Sequence, residues 1–150
     1  MKKAEDLFSQ AQKETITAAV RAAELRTSGE IRVYIEDKFK GEILDRAAFI
    51  FKELDMHRTE ERNGVLFYLA MCDRQFAVIG DAGINKVTGP DFWDEVKAEM
   101  MQHFKAGDLT KGLAQGIHKA GEALSTYFPC KADDKNELPD EITFGKESTE

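Results

Sequence analysis

The stretch NGVLFYLAM, residues 63–71, places seven consecutive apolar side chains directly after an Asn-Gly pair. Asn-Gly is a frequent turn sequence, and a short apolar run after a turn predicts a strand that is buried on both faces. Such a strand lies in the middle of a sheet that carries helices on either side. Residues 75–80, QFAVIG, predict the next strand. Only Cys72-Asp73-Arg74 separates the two, which is too short for a crossover, so we expect an antiparallel hairpin.

Residues 30–36, EIRVYIE, predict an earlier strand, in which polar and apolar residues alternate so that one face is better buried than the other. The apolar spacing over residues 42–54 predicts a helix between this strand and residues 63–71, which favours a parallel strand pair with a right-handed crossover. Further helices are predicted over residues 9–25, 90–104 and 108–128. The predicted fold class is α/β: a three-layer α/β/α sandwich around a small mixed sheet of at least three strands, one parallel pair plus a hairpin, with about four helices.

The composition is typical of one globular domain: 150 residues, 42% hydrophobic and 33% charged. We expect the domain to cover residues 1–130, and residues 131–150 to form a polar, acidic tail that docks in part through its apolar residues. The net charge of −7 and the lack of a Lys/Arg cluster argue against nucleic acid as a partner, whereas cations and basic proteins are favoured.

No signal peptide and no apolar stretch of the ~20 residues that a membrane helix needs is visible, so we expect a cytoplasmic protein without a membrane anchor. Cys72 and Cys130 match no metal-binding or redox spacing and are interpreted as reduced thiols. The sequence leaves the oligomeric state open.

The predicted strand directions bring three polar segments to one edge of the sheet. These are the start of the first strand with Glu30, the start of the second with Asn63, and the end of the third with Asp81. Adjacent strands lie about 4.8 Å apart, so these side chains can come within reach of one ion. Two carboxylates and an amide oxygen suit a hard cation, Ca²⁺ or Mg²⁺, and a predicted loop over residues 81–91 could add backbone carbonyls. Zinc is less suited because no His or Cys joins the set.

Each of these side chains also has a purely structural interpretation. Asp81 can be a turn residue or the ion-pair partner of Arg62. Glu30 can pair with Arg32 or Arg62, and Asn63 before a glycine is often a turn residue.

The opposite edge of the sheet carries a second group of acidic residues. It consists of Glu36, Asp37, Asp73 and Asp45. Ligands of parallel α/β sheets usually lie beyond the carboxyl ends of the strands, which favours this edge, but the antiparallel third strand weakens the rule here. A second cation site at this edge is therefore our next hypothesis, behind a solvated acidic rim.

Three motifs carry a resemblance to a known family: TSGEIRV at residues 27–33, RNGVL at 62–66 and IGDAGI at 79–84. Together they resemble the TPM domain family, which includes a plant thylakoid-lumen protein of photosystem II repair, and the chain is similar to a short, cytoplasmic bacterial branch. The resemblance implies an α/β/α sandwich and binding of Ca²⁺ or a similar metal, which we carry over to Glu30 and Asp81. It also implies an acid phosphatase activity for the plant member. Many members have Asp-Asn-Gly where this chain has Arg62-Asn63-Gly64.

Three functional hypotheses follow. The first is a divalent-metal-binding domain without catalysis of its own. The second is a metal-assisted acid phosphatase of low activity, in which Arg62 clamps the phosphate. The third is a protein-interaction module that uses the acidic face or the tail.

Overall fold

The structure of the chain is a computed structural model that describes residues 7–130 and 142–145. Within these residues the helices are α1 (Gln10–Glu24), α2 (Ile43–Glu53), α3 (Ala82–Thr88), α4 (Phe92–Lys105) and α5 (Leu109–Tyr127), with a short 3-10 turn at Met56–Arg58. The strands are β1 (Glu30–Glu36), β2 (Gly64–Ala70), β3 (Gln75–Gly80) and β4 (Thr143–Phe144).

The four strands form one mixed sheet in the order β3-β2-β1-β4. β1 and β2 are parallel, in a register that aligns Glu30 with Gly64, and β2 and β3 form an antiparallel hairpin that aligns Val65 with Gly80. The predicted parallel pair and hairpin are therefore confirmed. β4 lies within the segment predicted as a tail and pairs in parallel with β1. Residues 131–141 and 146–150 lie outside the described residues.

Apolar side chains fill both faces of the sheet, as expected for a three-layer α/β/α sandwich. On one face, helices α1, α4 and α5 pack over the sheet, and the core includes Ile16, Val20, Met100, Leu113 and Ile117. On the other face, α2 packs on β2 and β3, and its core includes Ala47, Ile50, Phe51, Met56 and Tyr68. β2 is buried along its whole length, as the apolar run after Asn63-Gly64 predicts.

Helix α3 is the main difference from the sequence prediction, which placed a polar loop over residues 81–91. Asp81 is the N-cap of this helix, and its side chain accepts a hydrogen bond from the backbone N–H of Ala82. The following helix, α4, begins at Phe92 rather than Pro90 and has Asp91 as its N-cap. The loop of backbone carbonyls that was expected beside Asp81 is thus largely a helix.

Strand β1 differs from the expectation in its polar face, which is also buried. Glu30, Arg32 and Glu36 are 2%, 7% and 6% exposed. They alternate with Ile31 and Ile35, so they lie on the sheet face that also carries α2. Charged groups are rarely this buried unless they are paired. The partners of these side chains therefore determine what this face can do.

Candidate functional site

The edge of the sheet that carries Glu30, Asn63 and Asp81 is called the tip site here. The backbone N–H of Glu30 donates to the carbonyl of Asn63 at 3.4 Å, and that of Asp81 donates to the carbonyl of Gly64 at 2.9 Å. The three segments thus meet on adjacent strands, as the predicted strand directions require. Glu30, Asn63 and Asp81 are 2%, 1% and 7% exposed, so their side chains lie in the protein interior.

The carboxylate of Asp81 is held by the guanidinium of Arg62. Arg62 Nε donates to Oδ2 at 2.7 Å and Arg62 Nη2 donates to Oδ1 at 2.8 Å, which is a bidentate pair. The hydrogen bonds to Asp81 raise the pKa of Arg62 above its ordinary value. The side chain of Arg62 is 52% exposed, whereas that of Asp81 is 6% exposed. The pair therefore joins a carboxylate in the interior to a cation that solvent reaches.

The other two members of the tip site also have structural contacts. Asn63 donates from Nδ2 to Ser28 Oγ at 3.3 Å, and its backbone N–H donates to Thr59 Oγ1 at 3.2 Å. The pKa of Arg32 is lowered from its ordinary value because burial lowers it by more than the charges of Glu24 and Glu30 raise it. The carboxylate of Glu30 therefore interacts electrostatically with Arg32, which is one of the two arginines that the sequence suggested as its partner.

Gly83 explains why a glycine follows Asp81 so closely in the third motif. A Cβ at this position would lie 2.1 Å from the carbonyl oxygen of Glu61 and 2.6 Å from that of Arg62. The backbone N–H of Gly83 also donates to the carbonyl of Arg62 at 2.8 Å. The start of α3 is thus pressed against the backbone that carries Arg62, and this contact sets the distance between Arg62 and Asp81.

The tip site offers oxygen atoms to a divalent cation, but those of Asp81 already accept hydrogen bonds. Its oxygen donors suit Ca²⁺ or Mg²⁺ by their chemistry. However, both carboxylate oxygens of Asp81 accept hydrogen bonds from Arg62, and the carbonyl oxygens of Gly80 and Asp81 accept from Asn85. Within residues 7–130 and 142–145, no three His, Cys, Asp or Glu side chains form a group that could hold a metal ion. A cation at Asp81 would therefore have to displace the guanidinium of Arg62.

At the second acidic edge Glu36 is buried and paired, whereas the other three carboxylates are half-buried or exposed. Glu36 accepts two hydrogen bonds from Arg46, from Nε to Oε2 at 2.8 Å and from Nη2 to Oε1 at 2.9 Å, and a third from the hydroxyl of Tyr68. Asp73 Oδ2 accepts from the backbone N–H of Phe39 at 3.1 Å. Asp37 is half-buried, and Asp45 is an exposed residue in the first turn of α2.

Arg46 and Tyr68 are the two partners of Glu36, and neither is among the residues predicted from the sequence for this edge. Burial is the largest cause that raises the pKa of Tyr68, followed by its hydrogen bond to Glu36. The hydrogen bond to Glu36 is the largest cause that raises the pKa of Arg46. The available signals were a tyrosine inside an otherwise apolar strand and an arginine in the first turns of the following helix, and neither specifies a partner by itself.

The sequence profile of the TPM domain matches residues 1–123, so the chain belongs to the TPM domain family. The chain is similar to the BA42 protein of the psychrophilic bacterium Bizionia argentinensis. The two sequences are 44% identical, and the NMR structure of BA42 matches the structure of this chain with a TM-score of 0.88. That match covers 97% of this chain and 100% of that one. A search of curated proteins finds no match.

Two more distant structures share the fold. One is the N-terminal domain of the cg2496 protein of Corynebacterium glutamicum, with 16% identity and a TM-score of 0.59, covering 78% of this chain and 74% of that one. The other is the N-terminal domain of a protein from P. gingivalis, with 22% identity and a TM-score of 0.59, covering 81% of this chain and 79% of that one. In the described part of this chain, no helix has the length and apolar character that a membrane span requires.

Proposed function

We propose that this chain is a TPM domain without catalysis of its own that binds one divalent cation, Ca²⁺ or Mg²⁺, at the tip site. The observation that carries the proposal is the strand register, which brings the ends of β1, β2 and β3 to one edge with two buried acidic residues among them. Carboxylate and amide oxygens are the ligands that hard cations prefer, and a partly desolvated site strengthens their attraction to a cation.

The ion and the guanidinium of Arg62 compete for Asp81 in this proposal. Arg62 is half exposed, so its side chain can move into solvent when an ion takes its place. Its backbone has a φ of 54°, a left-handed conformation that Asp and Asn adopt more readily than Arg does. Because binding must break a bidentate ion pair, we expect a weak affinity, on the order of millimolar.

The test is a titration of the isotope-labelled protein with CaCl₂, and separately MgCl₂, followed by two-dimensional NMR. We expect saturable shifts at the amides around Glu30, Asn63 and Asp81. Arg62→Asp removes the competitor and adds a carboxylate, so it should raise the affinity about tenfold or more. Asp81→Asn should abolish the saturable response.

Arg58→Asp is the matched control for Arg62→Asp. It changes the net charge by the same amount, but Arg58 pairs with the exposed Asp55 and not with Asp81. We expect it to change the affinity by less than about twofold, because the side chain of Arg58 is largely exposed and solvent and salt screen its charge. If Arg62→Asp and Arg58→Asp had the same effect, or if neither the wild type nor Arg62→Asp responded to the ions, the proposed site would be refuted.

A thermal measurement gives an independent check. A ligand that binds only the folded state at ten times its dissociation constant stabilises it by about 1.4 kcal/mol. For a chain of this size, such a gain raises the melting temperature by about 3–6 °C. The wild type should show this shift in saturating CaCl₂, and Asp81→Asn should not.

The phosphatase hypothesis stays a second candidate because Arg62, half exposed beside Asp81, is the side chain that it requires. In the described arrangement this guanidinium is bound to Asp81, so it can clamp a phosphate only after that pair has opened. Turnover of p-nitrophenyl phosphate that is lost in both Asp81→Asn and Arg62→Gln would favour it. The interaction-module hypothesis and the cytoplasmic location stay predictions.

A further inference from the structure

A second, unrelated feature is an open groove of about 510 Å³ beside the turn between β2 and β3, here called the hairpin groove. It lies between this turn and the connection from α4 to α5, on the face of the sheet that carries these helices. Its apolar lining consists of Leu69, Met71, Phe76, Met101, Phe104 and Leu109. A volume of this size falls within the range of small-molecule sites.

The charged side chains of the hairpin groove are both cationic. Arg74 and Lys105 line it and are exposed, and within the described part of the chain neither makes an ion pair. The nearest carboxylates in sequence are engaged elsewhere: Asp73 accepts from the backbone N–H of Phe39, and Asp108 caps α5 through the N–H of Lys111. Two cations that make no ion pair within the described residues therefore lie beside an apolar surface, where they favour an anionic group, although the net charge of the chain is −7.

The aromatic side chains that line the hairpin groove pack against each other and against α5. The rings of Phe76 and Phe104 meet edge to face, with centroids 4.8 Å apart and planes at 80°. Lys97 Nζ lies 6.0 Å from the centroid of Phe76 and adds a third cation near the groove. The ring of Phe104 packs directly against Gly112 of α5. A Cβ at residue 112 would lie 2.4 Å from Cε1 of this ring, so only glycine leaves room for it.

From these observations we propose that the hairpin groove binds a small amphiphilic carboxylate, with an apolar tail about the size of a phenyl ring or a short acyl chain. The tail packs on Phe76, Phe104 and Met101, and the carboxylate faces Arg74 and Lys105. The guanidinium of Arg74 can donate two parallel hydrogen bonds to a carboxylate, which an ammonium cannot do. This site does not depend on the tip site, so each proposal can fail without the other.

The test is an NMR titration of the full chain with sodium 4-phenylbutyrate, compared with 4-phenyl-1-butanol, which has the same tail without the charge. We expect saturable shifts at the amides of Leu69, Met71, Phe76 and Gly107 with the carboxylate, and at least about threefold weaker binding of the alcohol.

The variant for this titration is Arg74→Gly combined with Lys105→Gln. Glycine suits the backbone of Arg74, whose φ is 52°, so the turn should be kept while the charge is lost. We expect the double variant to bind the carboxylate about tenfold more weakly, since each exposed ion pair contributes about a threefold effect. Lys52→Gln combined with Lys86→Gln removes the same charge from exposed sites outside the groove and should bind as the wild type does.

The NMR spectrum of the double variant would show whether it is folded. If it is unfolded, the single variant Lys105→Gln takes its place, with an expected loss of about threefold in affinity for the carboxylate. Equal binding of the acid and the alcohol, or equal binding by the groove variant and its control, would overturn the proposal. So would shifts of the same amides that depend on protein concentration and not on the probe, because these would assign the groove to a second copy of the chain.

Discussion

Replacing Arg46 with methionine would leave the carboxylate of Glu36 in the protein interior without its cation. Glu36 has a side chain that is 7% exposed, and Arg46 supplies two of the three hydrogen bonds that the described residues make to it; the third comes from Tyr68. Methionine keeps most of the aliphatic length of arginine, so the change removes charge and hydrogen bonds more than volume. The expected effect is therefore electrostatic.

The magnitude follows from how buried the pair is. Breaking a fully buried ion pair costs about 3–5 kcal/mol, because an uncompensated charge remains in the interior. The side chain of Arg46 is 29% exposed, so water can partly replace it, and Tyr68 keeps its hydrogen bond. We therefore expect a loss of about 3 kcal/mol in the free energy of unfolding, or about 6–12 °C in the melting temperature.

A double-mutant cycle separates this pair from simple loss of packing. Glu36→Gln keeps the shape of the side chain and should cost about 1–2 kcal/mol through weaker hydrogen bonds. The combination of Arg46→Met and Glu36→Gln leaves no buried charge, and should cost about 1.5–2 kcal/mol less than the sum of the two single changes. Urea unfolding at neutral pH, followed by far-UV circular dichroism, measures all three values.

Arg58→Met is the control, because the guanidinium of Arg58 lies 3.5 Å from Asp55 with both side chains largely exposed. It should change the stability by less than about 0.5 kcal/mol. If Arg46→Met cost no more than Arg58→Met, or if the two changes at Glu36 and Arg46 were additive, the carboxylate of Glu36 would not be desolvated and the reasoning would be refuted.

Two further predictions concern the buried tyrosines and the start of α3. The pKa values of Tyr68 and Tyr34 are raised, with burial as the largest cause. Above about pH 10 the unfolded chain therefore loses phenol protons that the folded chain keeps. The free energy of unfolding should then fall as the pH rises. Urea unfolding across this range measures it, Tyr68→Phe should reduce the slope, and an unchanged slope would contradict the assignment. Gly83→Ala should cost at least about 1–3 kcal/mol, because its Cβ would overlap the carbonyl oxygens of Glu61 and Arg62; a melting temperature equal to that of the wild type would show that this contact is looser than described.

The sheet was predictable because its information is local. Seven apolar residues after Asn63-Gly64 specify a central strand, and the four residues between β2 and β3 are too few for a crossover, so they permit only a hairpin. Helix α3 was missed because its stability is not local. It has seven residues and contains Gly83 and Thr88, which have low helix propensity, and it is held by the Asp81 cap and by packing against the backbone at Arg62.

The candidate sites also differ in whether local sequence or tertiary packing determines them. The meeting of Glu30, Asn63 and Asp81 at one edge follows from strand direction alone, which a sequence pattern can indicate. The pairing of Arg46 with Glu36 depends on how α2 is rotated over the sheet, and a sequence pattern does not fix that rotation. The alternation in β1 therefore predicted one less buried face, whereas Arg32 and Glu36 on that face are buried with partners from other elements.

The two bidentate arginine–carboxylate pairs at opposite edges have the same chemistry, and their arginines differ in exposure. Arg46 is 29% exposed, so opening its pair transfers a mostly buried cation to water and leaves Glu36 charged in the interior. Arg62 is 52% exposed, so water can solvate its guanidinium when the pair with Asp81 opens. Our proposal therefore places cation exchange at the tip site, whereas the pair at the opposite edge joins β1 to α2. This difference is the physical reason for assigning ligand binding to Asp81 and a structural role to Glu36.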